Sequence, residues 1–175
     1  MKAIYPVFPL VLVLAACSST PTPTPTPVPT PVVRPLPTPP PIRPAVNWRD
    51  VPITPGNWSW GMVGGKSVAS FGTPGSAPLL TLTCEKSASE VRLARSGSAA
   101  ARVAMAVTTT SSTRPQVSDP ALSLPGQVTT ALKSRDSLLD AIAFSRGRFM
   151  VEVAGLPPLY LPSWPEVSRV IEDCR

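Results

Sequence analysis

Residues 57–71 read NWSWGMVGGKSVASF, and this stretch carries the clearest structural signal in the chain. Three apolar side chains alternate with smaller or polar ones: Trp58, Trp60 and Met62. This two-residue period is that of a β-strand with one buried face. Gly64 and Gly65 follow, and glycine readily takes the positive φ of a tight turn, while residues 67–71 are extended again. The stretch therefore predicts a β-hairpin whose three apolar side chains share one face.

The same alternation recurs along the rest of the chain. It involves Leu80, Leu82 and Cys84; Val91 and Leu93; Val103, Met105 and Val107; Phe149, Val151 and Val153; and Leu159 and Leu161. Short alternating strands separated by turns are typical of an antiparallel sheet, a sandwich or a small barrel. We therefore predict an α+β fold that is mainly antiparallel β, a sandwich or small barrel, with a short helix and a C-terminal helix.

The short helix is predicted over residues 136–144, where Leu138, Leu139 and Ile142 have helical spacing and Gly147 follows as a stop. Upstream of it, residues 109–127 are rich in Thr, Ser and Pro. This stretch predicts a long loop.

The C-terminal helix has a more complete signature. Ser163 and Glu166 have the spacing of a capping box, and Pro165 is tolerated in a first helical turn. An apolar stripe follows at i, i+3, i+4 and i+7: Val167, Val170, Ile171 and Cys174. The opposite, solvated side is predicted to carry an ion pair between Arg169 and Asp173.

The N-terminal residues have the layout of a bacterial export signal. Met1 and Lys2 precede a short apolar stretch, and Leu14-Ala15-Ala16-Cys17 follows it. These four residues resemble the lipobox of bacterial lipoproteins. The resemblance implies that residues 1–16 are a signal peptide and that Cys17 carries diacylglyceryl and acyl chains such as palmitate. The absence of Asp after Cys17 resembles sorting to the outer membrane, facing the periplasm.

The 25 prolines of the 175-residue chain are concentrated near its N-terminus. Residues 20–44 read TPTPTPTPVPTPVVRPLPTPPPIRP, a pattern that favours an extended polyproline-II conformation. At about 3.1 Å per residue such a segment reaches roughly 75 Å. Residues 17–45 are therefore predicted to be a tether. A ligand for a proline-recognition domain and a glycosylated stalk are the alternatives. Residues 46–175 form the predicted folded domain.

Two cysteines remain once Cys17 is lipidated. Cys84 lies on the apolar face of a predicted strand, and Cys174 lies on the apolar stripe of the last helix. Both are expected to point into the core in an oxidising compartment, so a disulfide between them is predicted. A reactive thiol is the alternative, but the sequence offers no histidine to activate it.

The residue content argues against several kinds of chemistry. The absence of histidine removes Ser-His-Asp catalysis and most zinc and iron sites, so we expect no metal and no cofactor. Residues 61–67 have three residues between their glycines where a P-loop has four, and no helix is predicted to follow. No Ser precedes a mature Lys by three residues, as a Ser-Lys hydrolase requires. The ten acidic residues show no grouping that selects a catalytic pair.

The charge is mildly positive. The formal net charge of the chain is +6, and loss of Lys2 with the signal peptide leaves +5. No run of five or six like charges appears, so no nucleic-acid partner is expected. Arg146 and Arg148 flank a predicted turn near Arg135, and these three arginines are candidates for binding an anionic polymer or the carboxylates of a partner. A solvated turn is the simpler interpretation. A binding platform is a further hypothesis for the aromatic residues Trp48, Trp58, Trp60, Tyr160 and Trp164, but core and edge packing is the simpler interpretation for most of them.

Residues 145–175 resemble the strand, strand, short helix and cysteine ending of small envelope proteins, some of which look like lysozyme-inhibitor lipoproteins. The resemblance is architectural, and no site residue is carried over from it. We expect a membrane-anchored, non-enzymatic binding or envelope-maintenance protein, with peptidoglycan or a periplasmic protein as its partner. An inhibitor of a cell-wall lytic enzyme and a carboxylate-dependent cell-wall hydrolase are the alternatives.

Overall fold

The computed structural model describes residues 47–175, so the predicted signal peptide, Cys17 and the tether lie outside the described residues. Within 47–175 the strands are β1 Asn57–Val63, β2 Lys66–Gly72, β3 Leu80–Glu85, β4 Glu90–Ser96, β5 Ala104–Thr108, β6 Thr113–Val117, β7 Gln127–Lys133, β8 Arg148–Val153 and β9 Leu159–Pro162. The helices are α1 Ser137–Ala143 and α2 Pro165–Asp173, and two short 3₁₀ turns span Lys86–Ala88 and Pro120–Leu122. No helix in this part of the chain is long and apolar enough to cross a bilayer.

The strands form two antiparallel sheets that share one hydrophobic core with the helices. The five-stranded sheet has the order β1-β2-β3-β4-β7, and the four-stranded sheet has the order β6-β5-β8-β9. The core draws on both sheets and both helices, with Phe71, Leu82, Leu93, Met105, Val107, Phe149, Val151, Leu138, Ile142, Val167 and Val170 among its members. The prediction of a mainly antiparallel α+β fold is confirmed.

The two sheets approach each other at their edges without closing a barrel. At one seam the amide of Thr54 donates to the carbonyl of Tyr160 at 2.9 Å, and the indole of Trp58 donates to the carbonyl of Pro162 at 2.8 Å. At the other seam the amide of Asp119 donates to the carbonyl of Thr129 at 2.8 Å. At each seam the sheets are therefore joined by isolated hydrogen bonds, whereas a closed barrel would have a continuous ladder of backbone hydrogen bonds between neighbouring strands.

The predicted hairpin is confirmed. Gly64 and Gly65 have φ angles of 55° and 75°, and they connect β1 to β2 as a two-residue turn closed by Val63 and Lys66. Positive φ at both central residues matches the right-handed twist of the two strands. The pairing then continues without a bulge as far as Asn57 opposite Gly72.

The predicted long loop over residues 109–127 is wrong, because it contains β6 and the turn Pro120–Leu122. β6 pairs with β5 on one side only, and its side chains are exposed or half-buried. An edge strand of this kind needs no apolar alternation. It also tolerates Pro115, whose missing amide would break a ladder in a central strand.

The short helix is confirmed, but Gly147 does not stop it. The side chain of Asp136 accepts from the amide of Leu138 at the N-terminus of α1, and Phe144 is the C-cap residue. Gly147 has a φ of 78° and lies in the turn that leads to β8. The positive φ that glycine provides is therefore used beyond the helix end.

The apolar stripe of α2 is confirmed, but the predicted capping box is wrong. Trp164 is the N-cap residue, and it makes no side-chain capping bond. The hydroxyl of Ser163 donates instead to the carbonyl of Ile142 at 2.5 Å, with the carbonyl of Ala143 at 3.2 Å. The carbonyls at the C-terminal end of α1 have no partner within the helix and accept this hydroxyl, so Ser163 caps the end of one helix rather than the start of the next.

The predicted disulfide is present. Cys84 of β3 and Cys174, which follows α2, are bonded across a separation of 90 residues, with their Cα atoms 5.3 Å apart. Both residues are buried. The bond therefore ties the end of the last helix to the middle of the five-stranded sheet.

Candidate functional site

A cleft lies between the tip of the β1–β2 hairpin and helix α2, and we call it the hairpin cleft. Its volume is about 260 Å³, and its lining residues are Trp60, Met62, Gly65, Lys66, Ser67, Cys84, Lys86, Arg169 and Asp173. The hairpin brings residues near position 65 to one wall, and the helix brings residues near position 170 to the other. The disulfide between Cys84 and Cys174 ties the end of the helix to β3, the strand next to the hairpin.

The cleft forms because the hairpin extends beyond the core. Trp58, Trp60 and Met62 share one face of β1, as the alternation predicts, but their burial falls along the strand. Trp58 is 6% exposed and Trp60 is half-buried, whereas Met62 is 60% exposed and Val63 at the turn is 64% exposed. The tip of the hairpin is therefore apolar and exposed to solvent. Exposed apolar side chains that form a contiguous patch often mark an interaction site.

A chain of hydrogen bonds joins the hairpin to the helix. The indole Nε1 of Trp60 donates to the Oγ of Ser67 at 2.8 Å, and that hydroxyl donates to the Oδ2 of Asp173 at 2.6 Å. Ser67 is 4% exposed. The three side chains therefore fix the Trp60 ring in one orientation, because a buried hydroxyl between a donor and a carboxylate has little freedom to turn.

Arg169 covers the Trp60 ring. The Arg169 guanidinium carbon lies 3.7 Å from the centre of the indole, within the range of a cation–π contact. The predicted ion pair between Arg169 and Asp173 is wrong, since each side chain contacts the hairpin instead. The helix spacing is correct, but the partners Trp60 and Ser67 lie about 100 positions away in sequence and could not be seen from the helix alone.

The rim of the cleft carries more positive than negative charge. Lys66, Lys86 and Arg169 line it, and Asp173 is the one carboxylate among the lining residues. Lys66 also pairs with Glu85 at 2.7 Å, and Arg92 lies 3.6 Å from the same carboxylate. Among the ion pairs of residues 47–175 none involves Lys86 or Arg169, so an acidic group that entered the cleft could pair with either.

The polar groups of the cleft are engaged with one another. The hydroxyl of Ser67 is buried and engaged on both sides, so it is not free to attack a substrate. Within residues 47–175 no three His, Cys, Asp or Glu side chains come together in a way that could hold a metal ion. Comparisons with protein-family models, curated proteins and solved structures find no match to this chain.

The three arginines singled out from the sequence do not form one cluster. Arg135 precedes α1, and Arg146 follows it, so the helix separates them. Arg148 is half-buried, and its guanidinium donates to the carbonyl of Val51 at 2.5 Å. Arg148 therefore holds the segment before β1 in place, whereas Arg135 and Arg146 are exposed.

Arg146 instead lies beside an arginine that sequence reasoning missed. Arg49 and Arg146 both contact Thr110: the Arg49 guanidinium donates to its carbonyl at 3.3 Å, and the Arg146 amide donates to its hydroxyl at 3.1 Å. They border a shallow depression of about 620 Å³ together with Ser111, Ala141 and Phe144, and Phe144 is 81% exposed. Arg49 is 97 positions from Arg146, so no local pattern could have found it.

The aromatic residues do not form a single binding platform. Trp58 is buried against Phe71 and Phe149, with ring centres 5.3 and 6.4 Å away. Trp164 is 41% exposed at the start of α2, and Trp48 is half-buried. Of the aromatic residues in 47–175, only Trp60 lines the hairpin cleft.

Proposed function

We propose that this chain is a lipid-anchored protein of the bacterial cell envelope whose domain binds a periplasmic protein through the hairpin cleft and performs no chemistry. The proposed anchor is Cys17, in the outer membrane facing the periplasm, and it is supported by the resemblance of residues 14–17 to a lipobox. Several acyl chains give stable membrane attachment, whereas one chain binds only marginally. The Thr- and Pro-rich residues 17–45 would be the spacer that lets the domain reach its partner.

The observation that carries the binding proposal is the exposed tip of the hairpin beside a rigid Trp60–Arg169 pair. Aromatic residues, Met and Arg are enriched in protein interfaces, and Trp and Arg dominate the residues that contribute most to affinity. Trp60 is held by Ser67 and by Arg169, so little side-chain freedom is left to lose on binding. Pre-ordering of this kind lowers the entropic cost of association.

The carboxylate chemistry that a cell-wall hydrolase would need is less well supported. Four acidic side chains are in ion pairs: Glu85, Glu90, Asp136 and Asp140. Asp119 caps a 3₁₀ turn, and Asp173 accepts the Ser67 hydroxyl. A glycosidase needs two carboxyl groups across one substrate, and the hairpin cleft offers only Asp173. Inhibition of a lytic enzyme would be one form of the proposed binding.

A crosslinking pull-down from intact cells tests the proposal. The lipidated protein would be compared with Arg169→Glu in the hairpin cleft and with Arg146→Glu in the Thr110 depression. We expect one envelope protein to be recovered with the wild type and with Arg146→Glu, and to be lost with Arg169→Glu. Loss with Arg146→Glu alone would move the binding surface to the depression, and muropeptide release that disappears on mutation of one acidic residue would overturn the non-enzymatic assignment.

A further inference from the structure

Strand β1 is the first strand of the five-stranded sheet, and within residues 47–175 no strand pairs with its outer edge. The two-residue turn makes Val63 and Lys66 a hydrogen-bonded pair, and such pairs then alternate along the hairpin. Trp60 and Met62 fall at the intervening positions, so their backbone amides and carbonyls face away from β2. Among residues 47–175 no group hydrogen-bonds to these outward-facing amides and carbonyls.

This open edge lacks the features that usually protect an edge strand. Natural edges carry charged residues, proline or a bulge that prevent further strands from pairing. β1 reads NWSWGMV and pairs with β2 without a bulge, so it has none of these. β6, an edge strand of the other sheet, reads TRPQV and has both Arg114 and Pro115. In the part of the chain that the structure describes, β6 therefore carries protective residues at its edge and β1 does not.

The accessible part of the edge is short and lies beside the hairpin cleft. Trp58 is held at the seam by its bond to Pro162, which leaves residues 59–63 free. Five residues of strand span about 17 Å. A strand added here would place alternate side chains on the face that carries Trp60, Met62 and Arg169.

Charge decides what kind of strand fits. Arg169 lies over Trp60 beside this edge, whereas Lys66 begins β2 and is paired with Glu85, and Lys86 follows β3 on the far side of the hairpin. A second copy of the chain, paired β1 to β1, would add a second Arg169 near this edge and no acidic residue from its own β1. An extended segment with acidic side chains at alternate positions would instead place a carboxylate near Arg169.

We propose that the outer edge of β1 accepts an extended acidic segment of the partner protein as a sixth strand of the sheet. The main chain of that segment would pair with Trp60 and Met62, and an acidic side chain on it would face Arg169. Main-chain bonds supply affinity in this mode of recognition, and alternate side chains supply selectivity. The inference rests on the proposed function and names the chemistry of the partner at the same site.

Model peptides test the inference on the purified full-length protein. One eight-residue peptide alternates Glu with Thr, and its control alternates Lys with Thr. We expect the Glu peptide to bind in fluorescence anisotropy, more weakly as salt is raised, and to slow hydrogen exchange across residues 58–63. The Lys peptide should bind at least about tenfold more weakly. Equal binding of the two peptides, or protection elsewhere in the domain, would overturn the inference.

Two variants separate the edge from the charge. Met62→Pro removes an amide that faces outward, so it blocks the added strand and leaves the β1–β2 bonds in place; we expect at least about a tenfold loss of affinity. Arg169→Gln should weaken the Glu peptide by about tenfold without weakening the Lys peptide. If Met62→Pro does not fold, the Arg169→Gln titration and the exchange data on the wild type still decide the question.

The outcomes also separate this inference from the proposed function. Suppose that the pull-down recovers a partner with the wild type but not with Arg169→Glu, and that the Glu peptide does not bind to the β1 edge. This result would contradict the pairing of a partner strand with β1, but it would support the proposed binding function. Dimerisation through β1, seen as concentration-dependent sedimentation that Met62→Pro abolishes, would identify a second copy as the occupant and refute the acidic partner.

Discussion

Removal of the Cys84–Cys174 bond should destabilise the domain strongly. The bond closes a loop across 90 positions, and the chain-entropy relation gives about 4.6 kcal/mol of stabilisation for a loop of about that length. Native disulfides usually contribute about 2–4 kcal/mol, so the double variant Cys84→Ala/Cys174→Ala should lose at least about 2 kcal/mol. With a urea m-value of about 2 kcal/mol/M, the unfolding midpoint should fall by about 1–2 M.

Urea unfolding of the oxidised wild type and the double variant, followed by tryptophan fluorescence, measures this difference. The same bond fixes α2 against β3, so the variant should also loosen Trp60 and Arg169 and speed hydrogen exchange across residues 58–63. A midpoint shift that corresponds to less than about 1 kcal/mol, with an unchanged m-value, would refute the argument. It would mean that packing alone holds the last helix in place.

Three further predictions concern single contacts. Ser163→Ala should cost about 1 kcal/mol in thermal unfolding, because the hydroxyl satisfies carbonyls at the end of α1; no effect would contradict that role. The hydrogen bond from Arg114 lowers the pKa of Asp136, so its contribution is complete above about pH 4 and is lost as the pH falls through the lowered pKa. Asp136→Asn should therefore cost about 1 kcal/mol in urea unfolding at pH 7 and progressively less below about pH 4; an equal cost at both would contradict this. Gly56→Ala should lower the free energy of unfolding by more than about 2 kcal/mol, because its Cβ would lie 2.9 Å from the Gly72 carbonyl carbon and its φ is +146°. Gly75→Ala is the control and should cost clearly less, because no heavy atom outside its chain neighbours lies within 4 Å of its added Cβ. Equal unfolding temperatures for the two variants would refute this prediction.

The β-sheet framework could be predicted because burial on one face leaves a two-residue pattern in the chain. The pairing of β1 with β2 follows from Gly64 and Gly65, since the turn sets the register. The disulfide could be predicted for a similar reason, because Cys84 and Cys174 each occupy an apolar position. Both signals are local in sequence, and both arise because one face of each element is buried in the core.

β6 could not be predicted because it has neither a buried face nor two neighbouring strands. Its pairing is specified by β5, which lies beside it in space. The role of Ser163 was missed for a related reason, because the carbonyls that compete for its hydroxyl belong to another helix about 20 residues earlier. Residues 109–127 have the composition of a loop, and Ser163 has the spacing of a capping box with Glu166. In both segments a contact with residues distant in sequence determined the structure instead.

The candidate site was only partly visible in the sequence. Trp60 and Met62 were recognised as members of an apolar face, but the alternation could not show that this face leaves the core after Trp58. Arg169 and Asp173 were assigned to a solvated pair because they are four residues apart. Their contacts with Trp60 and Ser67 depend on the packing of α2 against the hairpin, which no spacing within the helix reveals.

Site-specific photo-crosslinking in intact cells tests the central claim most directly. A photoreactive residue would replace Met62 at the hairpin tip, and a matched control would replace Val117 on β6, since these side chains are 60% and 61% exposed. We predict one dominant adduct with an envelope protein from position 62, reduced by Arg169→Glu, and none from position 117. Equal labelling at both positions, or no adduct at position 62, would contradict the assignment of the hairpin cleft as the binding site.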